Sequence, residues 1–193
     1  MKNQEQEIIK YFRKMDRSFY MDKDKDMAHM DQAVAIGHGQ TISQPSLVLE
    51  MTLTLNIQPD SKVLEIGTGS GFQTDLLASF SKSVFTVERI TPLHFRAKEK
   101  LREAGLSNIS FKLGDGSQGW EENAPYDRIM VTAAAADVPS ELVSQMAAGG
   151  KMVIPVGTEW EQKLLLIEKD EQGETCPTFI KNVMFVSLKR DSN

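Results

Sequence analysis

The chain has 193 residues, 40% hydrophobic and 25% charged, the composition of one globular domain able to bury roughly 70% of its unfolded surface. A net charge of -5 and an isoelectric point of about 5.3 argue against a nucleic-acid-binding face, and no apolar run reaches the roughly 18 residues of a membrane span. Cys176 is the single cysteine, so no intrachain disulfide can form, and the N-terminal Met1-Lys-Asn-Gln-Glu-Gln-Glu7 lacks the apolar stretch of a signal peptide; the expectation is a cytoplasmic protein with no membrane or nucleic-acid partner.

In chain order, Ile8, Ile9, Tyr11, Phe12 and Met15 recur at helical spacing and predict an amphipathic helix over 4–15. Residues 22–26 read as a charged, solvated loop without function. The glycine- and polar-rich stretch 33–45 is too long for a turn and suits a loop lying over a ligand. A helix over 47–55 and a turn over 56–60 then lead into a regular alternation. Strand 63–66 precedes helix 72–80, strand 84–87 precedes helix 92–104, and strands follow at 109–113 and 128–131. Helix 140–146, Gly149-Gly150 and strand 151–155 come next, and runs 163–168 and 179–188 read as a hairpin turning at 171–173. Alternation of this kind predicts an α/β, doubly wound, mostly parallel sheet of Rossmann-like type with an antiparallel C-terminal hairpin. No linker or repeat interrupts it. One domain is expected over 1–193, with 1–60 as an N-terminal helical and substrate-loop extension and 61–193 as the cofactor-binding core.

The most informative segment is Lys62-Val-Leu-Glu-Ile-Gly-Thr-Gly-Ser-Gly-Phe-Gln73. A strand, a glycine-rich bend and a helix hold a nucleotide-like ligand at the carboxyl edge of such a sheet. The spacing is G-x-G-x-G, with Phe72 where a dinucleotide fingerprint needs a small residue, and no phosphate-binding loop motif occurs. Glu65 adds an acid that would repel a pyrophosphate but suit a cationic ligand. The loop residues Gly67, Thr68, Gly69 and Gly71 therefore fit S-adenosylmethionine better than NAD or ATP.

Glu88 closes the second strand of the alternation, where a carboxylate can accept both ribose hydroxyls, unless it merely pairs with neighbouring Arg89. Asp115-Gly116 follows the third strand and can meet an adenine amine; the alternative is a turn whose Asp caps the next segment. His29, His38 and His94 show no ligand spacing, so no metal site is expected. Ser43 lacks the context of an elbow nucleophile, and Asn123-Ala-Pro-Tyr126 lies on the wrong side of its strand for a nucleobase methyltransferase.

Taken together, Ile36-Gly-His-Gly-Gln-Thr-Ile-Ser-Gln-Pro45, Val63-Leu-Glu-Ile-Gly-Thr-Gly-Ser-Gly71, Thr86-Val-Glu-Arg89, Gly114-Asp-Gly116 and Ile154-Pro-Val-Gly157 resemble the protein-L-isoaspartate O-methyltransferase family. The likeness runs over about residues 28–188. It implies methyl transfer from S-adenosylmethionine, giving S-adenosylhomocysteine, to isoaspartyl-containing proteins or peptides; a monomer is expected. It further implies that Gln40, Thr41, Ile42 and Ser43 line the junction of cofactor and acceptor, with Ser43 at the acceptor carboxylate. Gly67, Glu88, Asp115 and Gly116 would hold the cofactor, and Val131, Thr132 and Ala133 would border the peptide groove. Departures occur at Ala28-His29-Met30-Asp31, at Ala33 and Ala35, and at Lys189, where the family often carries a threonine. A methyltransferase for another carboxylate and a non-catalytic S-adenosylmethionine-binding module are the alternatives.

Overall fold

The computed structural model describes residues 2–190. Helix α1 (Lys2–Phe12) stops three residues before the periodicity does. Asp16 accepts a hydrogen bond from Ser18 N at 2.9 Å and starts a new single turn, Arg17–Tyr20. The charged stretch is not a free loop: Asp22 forms ion pairs with Arg96 and with Lys100, the latter at 2.9 Å. Because Asp22 and Arg96 are partly exposed, this tether adds little stability by itself.

The stretch 33–45, expected as a loop, is largely a hairpin. Strand β1 (Val34–Gly37) pairs antiparallel with β2 (Gln40–Ile42) through His38 and Gly39, both at positive φ. Positive φ at both central residues is what a tight two-residue hairpin turn needs. Helix α2 (Pro45–Leu55) follows directly, with proline in its first turn, where a missing N–H costs nothing.

The alternation then runs β3 (Lys62–Ile66), α3 (Phe72–Ser79), β4 (Ser83–Glu88), α4 (Thr91–Glu103), β5 (Ile109–Leu113), β6 (Tyr126–Val131), α5 (Ser140–Ser144), β7 (Met146–Gly157), β8 (Gln162–Lys169) and β9 (Thr175–Val183). The seven-stranded sheet has the order β5-β4-β3-β6-β7-β8-β9; β3 to β7 are parallel, and β8 and β9 add antiparallel. The chain moves outward from β3 to β5 and returns to β6 on the other side of β3. A crevice therefore opens at the carboxyl ends of β3, β4 and β6, where ligands bind in such sheets.

Period-two alternation divides the strand residues between two cores. Val63, Val84, Met130 and Val153 pack with Met51, Leu55 and Leu77 from α2 and α3. Leu64, Ile66, Val87, Ile129 and Ile154 pack with Leu142 of α5 on the other face. The last run is displaced from its expected place. β9 ends at Val183, and the following residues leave the sheet to run beside Ala134, whose N donates to Val186 O (2.8 Å) and whose O accepts from Leu188 N (2.7 Å).

Candidate active site

The loop after β3 has positive φ at Gly67, Gly69 and Gly71, a conformation that side chains rarely adopt. The close packing differs from one glycine to the next. A Cβ at Gly67 would overlap Thr132 Oγ1, which lies within hydrogen-bond distance of Gly67 O (2.7 Å) and Ile66 O (3.0 Å). A Cβ at Gly71 would stand 3.1 Å from Leu101 Cδ1, so this glycine lets α3 and α4 approach and faces away from the crevice. Phe72 fills the position a dinucleotide site needs empty; it packs against Phe12 and Tyr20 and anchors the N-terminal segment.

Glu88 ends β4 and is buried beside the loop. Its Oε2 accepts from Gly69 N and its Oε1 from Ile90 N, both at 2.9 Å. Each carboxylate oxygen keeps a lone pair for a further donor. Val87 and Ile90 flank it with apolar surface, while Thr68, Arg89 and Gly116 line the same crevice. Ile90, an apolar residue directly after the charged pair, was not singled out in the sequence.

Glu65 does not reach this crevice, contrary to expectation. It shares a strand face with Val63 and points toward α3, and Thr86 is its register partner on β4. Its Oε2 accepts from Thr74 Oγ1 and Thr86 Oγ1, both at 2.6 Å, and Oε1 has no partner. Complete burial raises its pKa to about 8, opposed by the two threonine hydrogen bonds and reinforced by the charge of Glu88. At neutral pH it is protonated, and Glu88, not Glu65, is the carboxyl side chain that lines the crevice.

Two further candidates stand differently from expectation. Val131 is fully buried in the core below α5, because its place on β6 turns it inward; Thr132 and Ala133, past the strand end, do reach the crevice. Asp115 caps the single turn Gly116–Gln118 by accepting from Ser117 N at 2.8 Å, and Gly116 lines the crevice.

The opposite wall is Gln40, Thr41 and Ile42 of β2 with Ser43 beyond them. Arg17, 5% exposed, holds this wall in place. Its Nη1 donates to Ala28 O (3.3 Å) and Met30 O (3.1 Å), and its Nη2 to Gln32 O (2.8 Å), Ile42 O (3.3 Å) and Ser43 O (3.1 Å). Burial draws its pKa below the ordinary value, and Asp31 opposes that shift. Asp31 itself accepts from Ser46 N (2.8 Å) and Gln44 Nε2 (3.0 Å), fixing the start of α2. Sequence reasoning passed over Arg17, since a lone arginine after a helix carries no motif.

The third wall is Phe185 to Lys189; the resemblance pointed to Lys189 alone, and the rest was read as strand. Gln162 clamps it: Phe185 N donates to Oε1 (2.6 Å), and Nε2 donates to Phe185 O (3.0 Å). One buried carboxyl group that can accept, glycine backbone free of Cβ atoms and an apolar lining by Ile66, Val87 and Ile90 make a surface that fits ribose hydroxyls, a purine and a short polar tail. S-adenosylmethionine has these parts. Among the described residues, no group of three or more His, Cys, Asp or Glu is placed to hold a metal.

Residues 1–193 match the family model described as protein-L-isoaspartate(D-aspartate) O-methyltransferase (PCMT). The chain is 52% identical over 162 residues to a protein-L-isoaspartate O-methyltransferase of Vibrio campbellii, covering 83% of this chain and 76% of that one. It is 48% identical over 162 residues to protein-L-isoaspartate O-methyltransferase 2 of a Polaromonas species, covering 83% and 77%. The crystal structure of a Plasmodium falciparum protein described as a protein-L-isoaspartate O-methyltransferase, in complex with S-adenosyl-L-homocysteine, superposes with a TM-score of 0.78 at 28% identity, covering 91% of this chain and 86% of that one. The chain belongs to the protein-L-isoaspartate(D-aspartate) O-methyltransferase family.

Proposed function

We propose that this protein transfers the methyl group of S-adenosylmethionine to the free α-carboxylate of L-isoaspartyl residues in damaged proteins or peptides, a repair reaction. The observation that carries this reading is one crevice with two unlike walls. The glycine loop and Glu88 form the cofactor side, and Ser43, held through its carbonyl by Arg17, forms the acceptor side. In this reading residues 61–193 supply the cofactor core and 1–60 the acceptor wall of one domain. The working form is taken to be a cytoplasmic monomer without nucleic-acid or membrane partners. Its acidic charge supports this, and no helix among the described residues is long and apolar enough to cross a membrane.

S-adenosylmethionine, when bound, supplies an electrophilic methyl group on a sulfonium. A carboxylate with a pKa of about 4 is already ionised at neutral pH, so the protein need not provide a general base. Its work is alignment and exclusion of water. Glu88 accepts the ribose hydroxyls while its bonds to Gly69 N and Ile90 N keep the loop shaped to receive them. Gly116 would border the purine, on a turn that Asp115 caps. The Ser43 hydroxyl donates to the acceptor carboxylate and orients one oxygen, with Gln40, Thr41 and Ile42 beside it. Thr132 and Ala133 with the Phe185–Lys189 wall shield the meeting point from water, which would solvate both charges and slow their neutralisation.

The test uses labelled S-adenosylmethionine and two peptides identical except for a normal or an isoaspartyl linkage. The isoaspartyl peptide is expected to become a base-labile methyl ester and the aspartyl peptide to stay unlabelled. The α-carboxylate of the isoaspartyl unit lies one methylene nearer the backbone than a β-carboxylate, and a 1 Å misplacement can cost about 100-fold in rate. Equal labelling would point to a general carboxylate acceptor. No labelling, with S-adenosylhomocysteine still bound, would leave a binding module.

A further inference from the structure

A second groove opens beside the crevice and shares Thr41, Ser43 and Phe185 with it. It holds about 630 Å³ and is bordered by Leu47, Gln162 and Lys181, with Trp160 and Met184 at its lip. These last two are 88% and 66% exposed. Trp160 stands on the β7–β8 turn, and that turn is fixed: Thr158 N donates to Glu161 O at 2.9 Å, and Thr158 Oγ1 accepts from Trp160 N (3.3 Å) and Glu161 N (3.2 Å). Below it, the Gln162 clamp on Phe185 fixes the chain next to Met184. A structured turn that holds an indole in water keeps a large apolar surface available for a partner.

We propose that this lip is a specificity subsite: Trp160 and Met184 receive a bulky apolar or aromatic side chain next to the isoaspartyl residue of the substrate. The inference rests on the reading of Ser43 as the acceptor wall. A chain whose carboxylate meets Ser43 has to leave the crevice, and the groove that shares Ser43 is a path continuous with that point. The charges disfavour an acidic neighbour. Glu161 repels one, and Lys181, which would attract it, is already held by Glu50 at 2.8 Å. Trp160 and Met184 supply apolar surface that a glycine neighbour would leave unused.

The experiment measures kcat/KM for isoaspartyl peptides that differ only in the residues flanking the isoaspartate, taken as Gly, Phe, Leu, Lys or Glu on either side. The native protein is expected to favour Phe or Leu over Gly by about 10-fold on one side, with Lys below both and Glu no better than Gly. In Trp160→Ala that ratio should fall close to one, and in Met184→Ala part of the way. Titration with S-adenosylhomocysteine checks that each variant is folded. Equal rates with every flank in the native protein, or an unchanged preference in Trp160→Ala, would overturn the subsite while leaving the acceptor assignment intact. Labelling of no peptide at all would sink the acceptor assignment and the subsite with it. A dimer that becomes monomeric in Trp160→Ala, with peptide preference unchanged, would give the lip to a second copy of the chain instead.

Discussion

Glu65 and Glu88 lie on neighbouring strands, and their hydrogen-bond partners differ. The backbone N–H groups of Gly69 and Ile90 each donate to one oxygen of Glu88. Glu65 has two threonine donors on one oxygen and none on the other, in complete burial. The sequence could show that an acid precedes the glycine loop, but not which face of the strand it takes, because a run buried on both faces has no polar alternation to read. The consequence is a stability that depends on pH. With the folded pKa raised from the ordinary 4.5 to about 8, the native state holds a proton that the unfolded chain gives up. This group's contribution is therefore complete below the unfolded value. It is lost as pH rises between about 4.5 and 8, by at most about 1.4 kcal/mol per unit, and is constant above that window. Glu65→Gln removes the titration while leaving a side chain that accepts from both threonines. Urea unfolding at pH 5 and pH 9 should show the native protein losing its advantage over the variant, or falling below it, at the higher pH. A stability difference that is the same at both pH values would mean that Glu65 is ionised in the fold.

At the scale of elements, the alternation from β3 to β7 was legible because each strand is a short apolar run closed by a turn or a helix start. The N-terminal quarter was less so. The hairpin β1–β2 is short, and its glycines serve the turn, so the composition resembled a loop. What makes it a rigid wall is the five carbonyls gathered by Arg17 from two separate stretches of chain. A guanidinium suits this work because its donors are fixed in a plane and never lose the charge; an ammonium reaches fewer acceptors. Arg17→Lys should lower unfolding stability by about 1–3 kcal/mol, the cost of leaving one buried carbonyl or so unsatisfied. The same change should lower kcat for the isoaspartyl peptide and leave affinity for S-adenosylhomocysteine nearly unchanged, since no bond from Arg17 touches the glycine loop or Glu88. Unfolding in urea, calorimetry and steady-state rates would measure the three together. A loss of cofactor affinity matching the loss of rate would mean that the N-terminal segment supports the whole crevice and not its acceptor wall alone.

For the molecule as a whole, the crevice is assembled from pieces that share nothing locally: β2, the loop after β3, the ends of β4 and β6, and a C-terminal stretch tied to Ala134 and Gln162. The sequence revealed the first four through motifs. It hid the last, because apolar residues alternating through 179–188 look the same whether they stay in the sheet or leave it. A ligand that touches all these pieces can bind only where they are already folded together, so its binding free energy adds to the stability of the fold. S-adenosylhomocysteine at 100 times its dissociation constant should stabilise the protein by about 2.7 kcal/mol and raise its thermal midpoint by about 5–10 °C. Glu88→Gln, which keeps the size but leaves a single neutral acceptor and turns an amide NH2 toward Gly69 N or Ile90 N, should weaken binding by roughly 1.5–3 kcal/mol. At the same ligand concentration about half or more of the thermal shift should then vanish. Thermal melts of both proteins with and without the ligand give the comparison, and each variant serves as its own unliganded reference. An equal shift in Glu88→Gln would remove Glu88 from the cofactor contacts and leave it only the task of shaping the loop.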